Sequence, residues 1–309
     1  MGRIRALALV IAGALVVACA GGTSPPPGTP AASPAVSPSP AASPSPSPDA
    51  CAKEALETKR PGRLTIGTDN PAFPPYFDPE PSHPDWELGN PYNGKGFESA
   101  VAYAVAEELG FAADEVDWIA VRFDQSFAPG PKDFDFYLAQ VSFKPERAEA
   151  VDLSDGYYFL NQSLVAIAGT PVAEAKTIAD LKPYRFGAQV GTTSYDYIVR
   201  QIQPAAEPLV YDTNDAAIEA LKAGQIDGLV VDLPTAFFVT AVQVENGVIV
   251  GQFPPAGGEQ EHFSLVLEKD SALTDCVNAA LAALQESGEL ERITQEWLAD
   301  KANAPFIAP

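Results

Sequence analysis

The sequence contains few of the residues from which metal sites and many catalytic sites are built. Its 309 residues include two histidines, His83 and His262, three cysteines and one methionine. No Cys-x-x-Cys or Cys/His spacing typical of zinc sites occurs, so we predict no structural zinc. No P-loop, dinucleotide fingerprint or Ser/His/Asp triad is recognisable. We therefore predict no cofactor.

Positive charge is also scarce. Lys and Arg number 19 against 41 Asp and Glu, which gives a formal net charge of -22. Nucleic-acid binding needs basic patches that displace counterions from phosphates, so we predict no nucleic-acid partner. The apolar share of 46% is ordinary for a globular protein. The length allows one or two domains with a sizeable core.

The amino-terminal segment has the pattern of an export signal. Arg3 and Arg5 precede an apolar run over residues 6–17, too short to span a membrane as a mature helix. The run leads into LVVAC, which resembles the bacterial lipobox. That resemblance implies a lipoprotein signal peptide over residues 1–18 and lipidation of Cys19. The alternative is an ordinary secretory signal with an unmodified cysteine.

A proline-rich segment follows. Residues 23–48 are mostly Ser, Pro and Ala, and they include ten prolines and no charged residue. Such a composition favours extended polyproline II, which at roughly 3.1 Å per residue reaches about 80 Å. We predict that residues 19–50 are a lipid-anchored linker, holding a folded domain outside the cell membrane. The alternative is a disordered tail with no role.

The cysteine count is consistent with export. If Cys19 carries lipid, Cys51 and Cys276 remain as an even pair, and a disulfide is permitted outside the cytoplasm. We predict that they form a disulfide, which would connect the start of the folded part to a late helix. The alternative is two unrelated buried thiols.

Strand and helix patterns alternate from residue 51 onward. Short apolar runs predict strands over residues 64–69, 116–121, 163–169, 184–191, 208–212 and 226–232. Helical spacing and end signals predict helices over residues 97–109, 194–203, 214–223, 272–286 and 289–299. This alternation predicts an α/β fold with mostly parallel sheets and sites at the carboxyl ends of strands.

Five segments, in the right order, resemble the extracytoplasmic solute-binding proteins of amino-acid ABC transporters, bacterial family 3. The segments are LTIGTDNPAFPPYFD, GKGFESAVAYAVAEELG, DFDFYLAQVSFKPERAEAVDLSDGYY, FGAQVGTTSYDY and IDGLVVDLP. The resemblance implies a two-lobed, type II periplasmic-binding-protein-like fold with a ligand cleft between lobes joined by two hinge crossovers. It assigns residues 51–160 and 259–309 to lobe 1, and residues 161–258 to lobe 2. The hinges would lie near residues 160–163 and 257–263.

An enclosed amino acid needs a partner for its carboxylate and its ammonium group, because closure removes water from both. Arginine and backbone N–H groups at a helix start suit the carboxylate. The resemblance makes Arg147, in a short helix begun by Pro145, the carboxylate clamp. Thr192 and Thr193 would add N–H groups, with Thr193 as the helix N-cap. The alternatives are a surface arginine and a simple helix cap.

The ammonium group requires an acceptor. The resemblance assigns this role to Asp232, at the end of a strand, while the alternative is an N-cap aspartate. Gln140 and Ser142, on the strand before KPER, would add backbone and hydroxyl contacts. Phe73 would pack on the aliphatic part of the ligand, with Tyr76 nearby, and core packing is the alternative for both rings.

The ligand side chain is predicted to be polar or cationic. Asp69 ends the first strand, and related binders use this position for side-chain contacts. Asn70 and Gln189 offer further polar groups. The alternative is that Asp69 only caps a turn before Pro71, which would leave the pocket apolar.

Some positions depart from the family pattern. Lys144 replaces the usual Thr before the arginine, which removes a hydroxyl cap, and Ala100 and Ser264 replace Asp and Gly. Residues 79–93 form a proline-rich insertion, predicted to be a loop at the cleft rim. Trp86 within it would either cover the ligand or anchor the loop.

The leading interpretation is a monomeric binding protein, not an enzyme, that delivers an amino acid to a membrane permease and its ATPase. A second class is a dehydratase of the cyclohexadienyl or arogenate type, which the same fold also carries. That reaction needs a positioned acid, for which Glu98, Glu261 and Asp69 are candidates. A third class is a ligand-binding partner of a sensor kinase.

Overall fold

The computed structural model describes residues 50–258, 260–298 and 304–309. Its β-strands are β1 Leu64–Thr68, β2 Val116–Ala120, β3 Phe136–Tyr137, β4 Asp152–Leu153, β5 Tyr158–Leu160, β6 Gln162–Ile167, β7 Phe186–Gln189, β8 Leu209–Tyr211, β9 Gly228–Asp232, β10 Gly247–Gln252, β11 Glu261–Phe263 and β12 Val266–Leu267. Its α-helices are α1 Phe97–Glu108, α2 Phe123–Ser126, α3 Pro145–Ala148, α4 Ile178–Leu181, α5 Thr193–Tyr197, α6 Asn214–Lys222, α7 Leu233–Phe238, α8 Thr274–Glu286 and α9 Glu289–Leu298. The π-helical turns Ile198–Ile202 and Val239–Gln243 continue α5 and α7.

The strands form two principal sheets, each with helices packed around it, so the chain has a two-lobed α/β fold. One sheet has the order β2–β1–β3–β12–β4, and the other has the order β10–β6–β9–β7–β8. In the sequence, strands β1 to β4 of the first sheet precede the strands of the second sheet, and β12 of the first sheet follows them. The chain therefore leaves the first lobe and returns to it. The antiparallel pair β5 and β11 lies on the two crossovers.

The expectation of mostly parallel sheets is wrong. β1 is parallel to β2 and β3, and β7 is parallel to β8 and β9. However, β12 is antiparallel to its neighbours, and so is β6. These strands follow the crossovers directly, without the helix that a parallel connection needs, and they therefore enter their sheets in the opposite direction.

The first strand of lobe 2 brings the end of β9 to the crossover. Gln162 opens β6 and pairs with Asp232, the last residue of β9. Since β7 runs parallel to β9, the carboxyl ends of both strands point toward the crossovers. The polar residues that follow these strands therefore face the cleft between the lobes.

The last described segment packs on lobe 2. Ile307 is buried beside Phe253 in the core of this lobe. The Gln252 N–H group donates to the Pro305 carbonyl at 2.8 Å, and the Ile178 N–H group donates to the Ala308 carbonyl at 2.8 Å. Residues 304–309 therefore differ from the expected assignment of residues 259–309 to lobe 1, because an apolar side chain finds a core site on the other lobe.

The predicted disulfide between Cys51 and Cys276 is present, with an S–S distance of 2.01 Å. It joins the start of the folded chain to α8, whose apolar face lies in the core of lobe 1. Cys19, the predicted signal peptide and nearly all of the predicted linker lie outside the described residues. Among the helices that the structure describes, none has the length and apolar character needed to cross a bilayer.

Candidate functional site

A cavity between the lobes brings the predicted site residues together. Every ligand-binding residue predicted from the sequence lies on its wall: Asp69, Phe73, Gln140, Ser142, Arg147, Gln189, Thr192, Thr193 and Asp232. The wall is completed by residues that the sequence analysis did not select: Thr68, Pro71, Ala72, Phe77, Phe123, Ala139, Ser194, Asn214, Val231 and Thr235. The location of the predicted set is thus established, while the role of each member in binding stays a prediction.

Arg147 is held on the cavity wall by lobe 1 and by a loop of lobe 2. Its guanidinium donates to the Ser142 carbonyl and, at 2.8 Å, to the Gly191 carbonyl. It also lies over Phe127, 4.3 Å from the ring centroid. Burial lowers the pKa of Arg147 to about 10, so the side chain remains charged at neutral pH. Because these hydrogen-bond partners are neutral carbonyl groups, the positive charge is available to an anion.

The N-cap of α5 lies one residue earlier than predicted. Thr192, not Thr193, is the N-cap, and its hydroxyl accepts from the Tyr195 N–H group at 3.2 Å. Thr192 has extended backbone angles, whereas Thr193 is already the first helical residue. The Thr193 hydroxyl is therefore free of capping, and it lies 3.4 Å from the Ser142 hydroxyl on the opposite lobe.

Asp232 occupies the N-cap position of α7, but its carboxylate does not cap the helix. It accepts from the Gln162 side-chain amide at 2.6 Å. Burial, followed by the charge of Glu261, raises the pKa of Asp232 well above its usual value. The capping interpretation is therefore wrong, and this carboxylate lies at the cavity wall with a raised cost of ionisation.

Gln162 connects Asp232 to the second crossover, a role that the sequence analysis missed. Its side-chain nitrogen lies 3.0 Å from a carboxylate oxygen of Glu261. Its amide oxygen accepts from the Ser194 hydroxyl at 2.7 Å. Glu261 also accepts from the Ser142 hydroxyl. The available sequence signal was a polar residue immediately before the apolar strand SLVAI, a strand that was predicted to begin one residue later.

A buried carboxylate fixes Gln140. Glu98 has no exposed surface, and it accepts from the Gln140 N–H group at 2.6 Å and from the Tyr157 hydroxyl at 2.5 Å. Burial raises the pKa of Glu98 to about 7. Gln140 has a φ of 54°, in the left-handed region that few side chains adopt. The predicted strand before KPER therefore ends early, at Tyr137, and Gln140 forms an irregular turn toward the cavity.

Asp69 both caps a turn and lies on the cavity wall, and its contact with a ligand side chain stays a prediction. Its carboxylate accepts from the Asn70 N–H group at 2.9 Å, as a turn-capping residue would. The side chain also lines the cavity, where burial raises its pKa. On the opposite lobe, the Gln189 amide oxygen accepts from the Asn214 N–H group at 3.1 Å. Asn214 is a further polar residue on the wall.

The aromatic residues divide between the wall and the core. Phe73 lines the cavity, whereas Tyr76 is 1% exposed and belongs to the core of lobe 1. The Tyr76 hydroxyl lies 3.1 Å from the Thr235 hydroxyl of lobe 2. Trp86 is buried in lobe 1, and its indole N–H group donates to the Asp69 carbonyl at 3.2 Å. Trp86 therefore anchors the insertion over residues 79–93 next to the site.

Lys144 replaces a helix cap with a charge between the lobes. Its side chain does not cap α3, as predicted from the missing hydroxyl. Instead, the ammonium group lies 2.5 Å from the Asp196 carboxylate on α5. This ion pair joins lobe 1 to lobe 2 close to the cavity.

Comparisons with known proteins agree with this architecture. Residues 64–300 match the family model of bacterial extracellular solute-binding proteins, family 3. The arginine-binding extracellular protein ArtP of Bacillus subtilis (strain 168) is 27% identical over 207 residues, covering 65% of this chain and 77% of that protein. The L-cystine-binding protein TcyJ of Escherichia coli (strain K12) is 25% identical over 242 residues, covering 78% and 84%.

A solved structure is also similar to this chain. The structure of an ancestral arginine-binding protein bound to glutamine has a TM-score of 0.62 and 28% identity, covering 76% of this chain and 97% of that one. The family match contains both sheets and every residue on the cavity wall. This chain therefore belongs to the bacterial extracellular solute-binding proteins of family 3.

Proposed function

We propose that this protein is the extracytoplasmic substrate-binding component of an ABC importer, and that it captures an amino acid and delivers it to a permease and its ATPase. The observation that carries the proposal is the pair of opposite charges on one cavity wall. Arg147 comes from lobe 1 and Asp232 from lobe 2, and the cavity between them matches the two charged groups of a zwitterion. The relatives described above are named for binding arginine or cystine, which supports this class of ligand.

The two lobes would divide the recognition of the ligand. The carboxylate would pair with Arg147 and with N–H groups at the start of α5, and the ammonium group would pair with Asp232. Each charge is transferred out of water, so each needs a charge-assisted hydrogen bond in return. Rotation at the crossovers would close the cleft. Contacts between the lobes, such as that between the Tyr76 and Thr235 hydroxyls, would hold it closed.

We propose a polar or cationic side chain on the ligand. Two carboxylates, Asp69 and Asp232, share the wall with one arginine. A zwitterion balances Arg147 and Asp232, and Asp69 is then left with its negative charge. Asn214 and Gln189 add neutral polar groups to the cavity wall. A cationic or hydrogen-bonding side chain would therefore fit better than an anionic or aliphatic one.

We propose binding rather than catalysis. Of the three acids considered for a dehydratase, Glu98 is fully buried and engaged by Gln140 and Tyr157. Glu261 lines a neighbouring cavity rather than this one. Asp69 is the member of this set that lines the cavity, and it already accepts a backbone hydrogen bond. Release of product from arogenate or a related cyclohexadienyl acid would contradict this proposal.

The proposed cellular arrangement follows from the amino-terminal sequence. Cys19 would carry lipid after removal of residues 1–18, and residues 19–50 would tether the folded part at the outer face of the cell membrane. The protein would act as a monomer. Metabolic labelling with a radioactive fatty acid tests this arrangement, because a Cys19→Ser variant should lose the label while Cys51→Ser retains it.

A thermal-shift screen tests the ligand class. The purified chain is heated with each of the twenty L-amino acids and with L-cystine, and the D-enantiomer of each active compound serves as the matched control. A ligand at a hundredfold excess over its Kd stabilises the folded state by about 2.7 kcal/mol. We expect stabilisation by one or a few polar or cationic L-amino acids. Absence of any response, or equal responses to both enantiomers, would contradict the proposal.

A further inference from the structure

The two crossovers meet at one hydrogen-bond network beside the cavity. Gln162 begins β6 on the first crossover, and Glu261 begins β11 on the second. The Gln162 side chain is almost fully buried, at 3% exposure. Its nitrogen donates to Asp232 at 2.6 Å and lies 3.0 and 3.1 Å from the two Glu261 oxygens. One amide therefore contacts two carboxylates, one that lines the cavity and one that does not.

The orientation of this amide follows from its partners. Ionised carboxylates only accept hydrogen bonds, so the nitrogen faces them, and the amide oxygen accepts from the Ser194 hydroxyl at 2.7 Å. An amide nitrogen carries two protons, and each carboxylate can receive one of them. A carboxylate at position 162 would add a third negative charge, and a hydrocarbon would leave both acids without this donor. An amide at position 162 therefore suits both acids.

We propose that Gln162 is the positioning residue of the ammonium site, and that Glu261 is the charge that sets how acid weakens ligand binding there. Gln162 holds the Asp232 carboxylate toward the cavity while it neutralises part of the repulsion between the two acids. This inference rests on the proposed function, because it concerns the ammonium group of a bound amino acid. It adds to that function two residues that the cavity wall does not contain.

The ionisable groups around Asp232 determine whether each substitution raises or lowers its pKa. The ionisable groups that face it belong to several elements: Glu261 on β11, Glu98 on α1, Arg147 on α3, and the tyrosines Tyr76, Tyr157 and Tyr158. Burial and then the Glu261 charge raise the pKa of Asp232, while the Gln162 hydrogen bond and the Arg147 charge lower it. Only the ionised carboxylate pairs with an ammonium group. Affinity is therefore lost as the pH falls through the pKa of Asp232.

Substitutions of Gln162 and Glu261 should therefore shift the pH dependence of ligand binding in opposite directions. Gln162→Met keeps the length of the side chain but removes the donor, so the pKa of Asp232 rises and affinity is lost at a higher pH than in the wild type. We expect about a tenfold increase in Kd at pH 7.5 from the missing hydrogen bond. Glu261→Gln removes a repelling charge, so the pKa falls and binding persists to a lower pH.

Calorimetry decides between these outcomes. The purified chain and both variants are titrated with L-arginine, L-lysine, L-glutamine and L-asparagine between pH 5 and pH 8.5. Gln225→Met and Glu286→Gln are the matched controls, since both side chains are exposed, and they should retain the wild-type affinity and pH profile. A double variant of Gln162 and Glu261 should return toward the wild-type profile, because the opposing effects are combined.

Failure of the inference is distinguishable from failure of the proposed function. If the wild type binds neither these four amino acids nor any other compound of the thermal-shift screen, the proposed function is wrong together with the inference. If the wild type binds one of them, and the Gln162 and Glu261 variants leave the pH profile unchanged or move it in the same direction, only the inference is overturned. If Gln162→Met does not fold, the direction of the Glu261→Gln shift alone decides.

Discussion

The two lobes supply the cavity with different kinds of groups. Lobe 1 provides buried ionic groups that are fixed by distant parts of the chain: Arg147 is 5% exposed, and Glu98, which holds Gln140, is fully buried. Lobe 2 provides mainly short polar groups where strands end and helices begin, among them Thr192 and Asn214. Lobe 2 also supplies the carboxylate proposed for the ammonium group. Loss of the buried arginine of lobe 1 should therefore cost more affinity than loss of a neutral polar group of lobe 2.

The largest expected effect is on Arg147. Arg147→Ala removes the cationic partner of a carboxylate in an enclosed site, which should cost about 4 kcal/mol, roughly a thousandfold in Kd. Thr193→Ala, on the facing loop of lobe 2, should cost about 1 kcal/mol or less, because one neutral hydroxyl is lost. Isothermal titration with the amino acid found in the screen measures both values. Equal losses would remove the distinction between the lobes.

The disulfide should stabilise lobe 1 selectively. The bond spans a sequence separation of 225 residues. Replacing Cys51 and Cys276 by serine should lower the free energy of unfolding by roughly 3 kcal/mol, since the unfolded chain is no longer constrained. Hydrogen exchange is expected to rise in α1 and α8 and to stay nearly unchanged in β7 and β9. A uniform rise over both lobes would mean that they unfold as one unit.

Glu98 should make the stability of lobe 1 depend on pH. Its folded-state pKa is about 7, above the usual 4.5, so the folded state binds more protons than the unfolded state between these values. This contribution to stability is complete below pH 4.5 and is lost as the pH rises to 7, by about 3 kcal/mol in total. Urea unfolding of Glu98→Gln should lack this component of the pH dependence. The exposed Glu286→Gln should retain it, and identical profiles for both variants would contradict the assignment.

The smallest expected effect concerns the ion pair between the lobes. Lys144 and Asp196 are partly exposed, at 19% and 27%. Their coupling should therefore be below about 1 kcal/mol and should weaken with added salt. A double-mutant cycle on ligand affinity with Lys144→Ala and Asp196→Ala measures it. The Lys222–Glu219 pair lies within α6, and its removal should leave the affinity unchanged.

Local sequence patterns predicted much of this architecture. Hydrophobic runs and turn residues, which are short-range signals, predicted the strands that end near Asp69, Gln189 and Asp232 and the helix that begins at Pro145. The strand at Gln189 was predicted to continue to residue 191. The convergence of these positions in one cavity followed from the family resemblance. Cys51 and Cys276 could be paired because few cysteines were available. The strand ends and the helix start depend on residues within a few positions of each, and the disulfide pairing followed from the number of cysteines.

The remaining features depend on contacts between distant segments. The partners of Gln162 are set by the antiparallel register between β6 and β9, which no local pattern encodes. The left-handed backbone of Gln140 depends on Glu98, which lies 42 residues earlier. The choice of Thr192 over Thr193 as the cap is a shift of one residue, within the normal uncertainty of helix ends. Ile307 gave no sign that its core site lay on the other lobe.

The segment at residues 304–309 has a mechanical consequence. Leu298, at the end of α9, lies in the core of lobe 1, and the Ala304 carbonyl accepts from the Gln252 side chain of lobe 2. Six peptide steps span about 22 Å when fully extended, and this is the upper limit for any conformation. As long as Ile307 keeps its core site, this length sets an upper limit on the distance between its two attachment points. The amplitude of lobe opening is therefore bounded by a short tether as well as by the hinges.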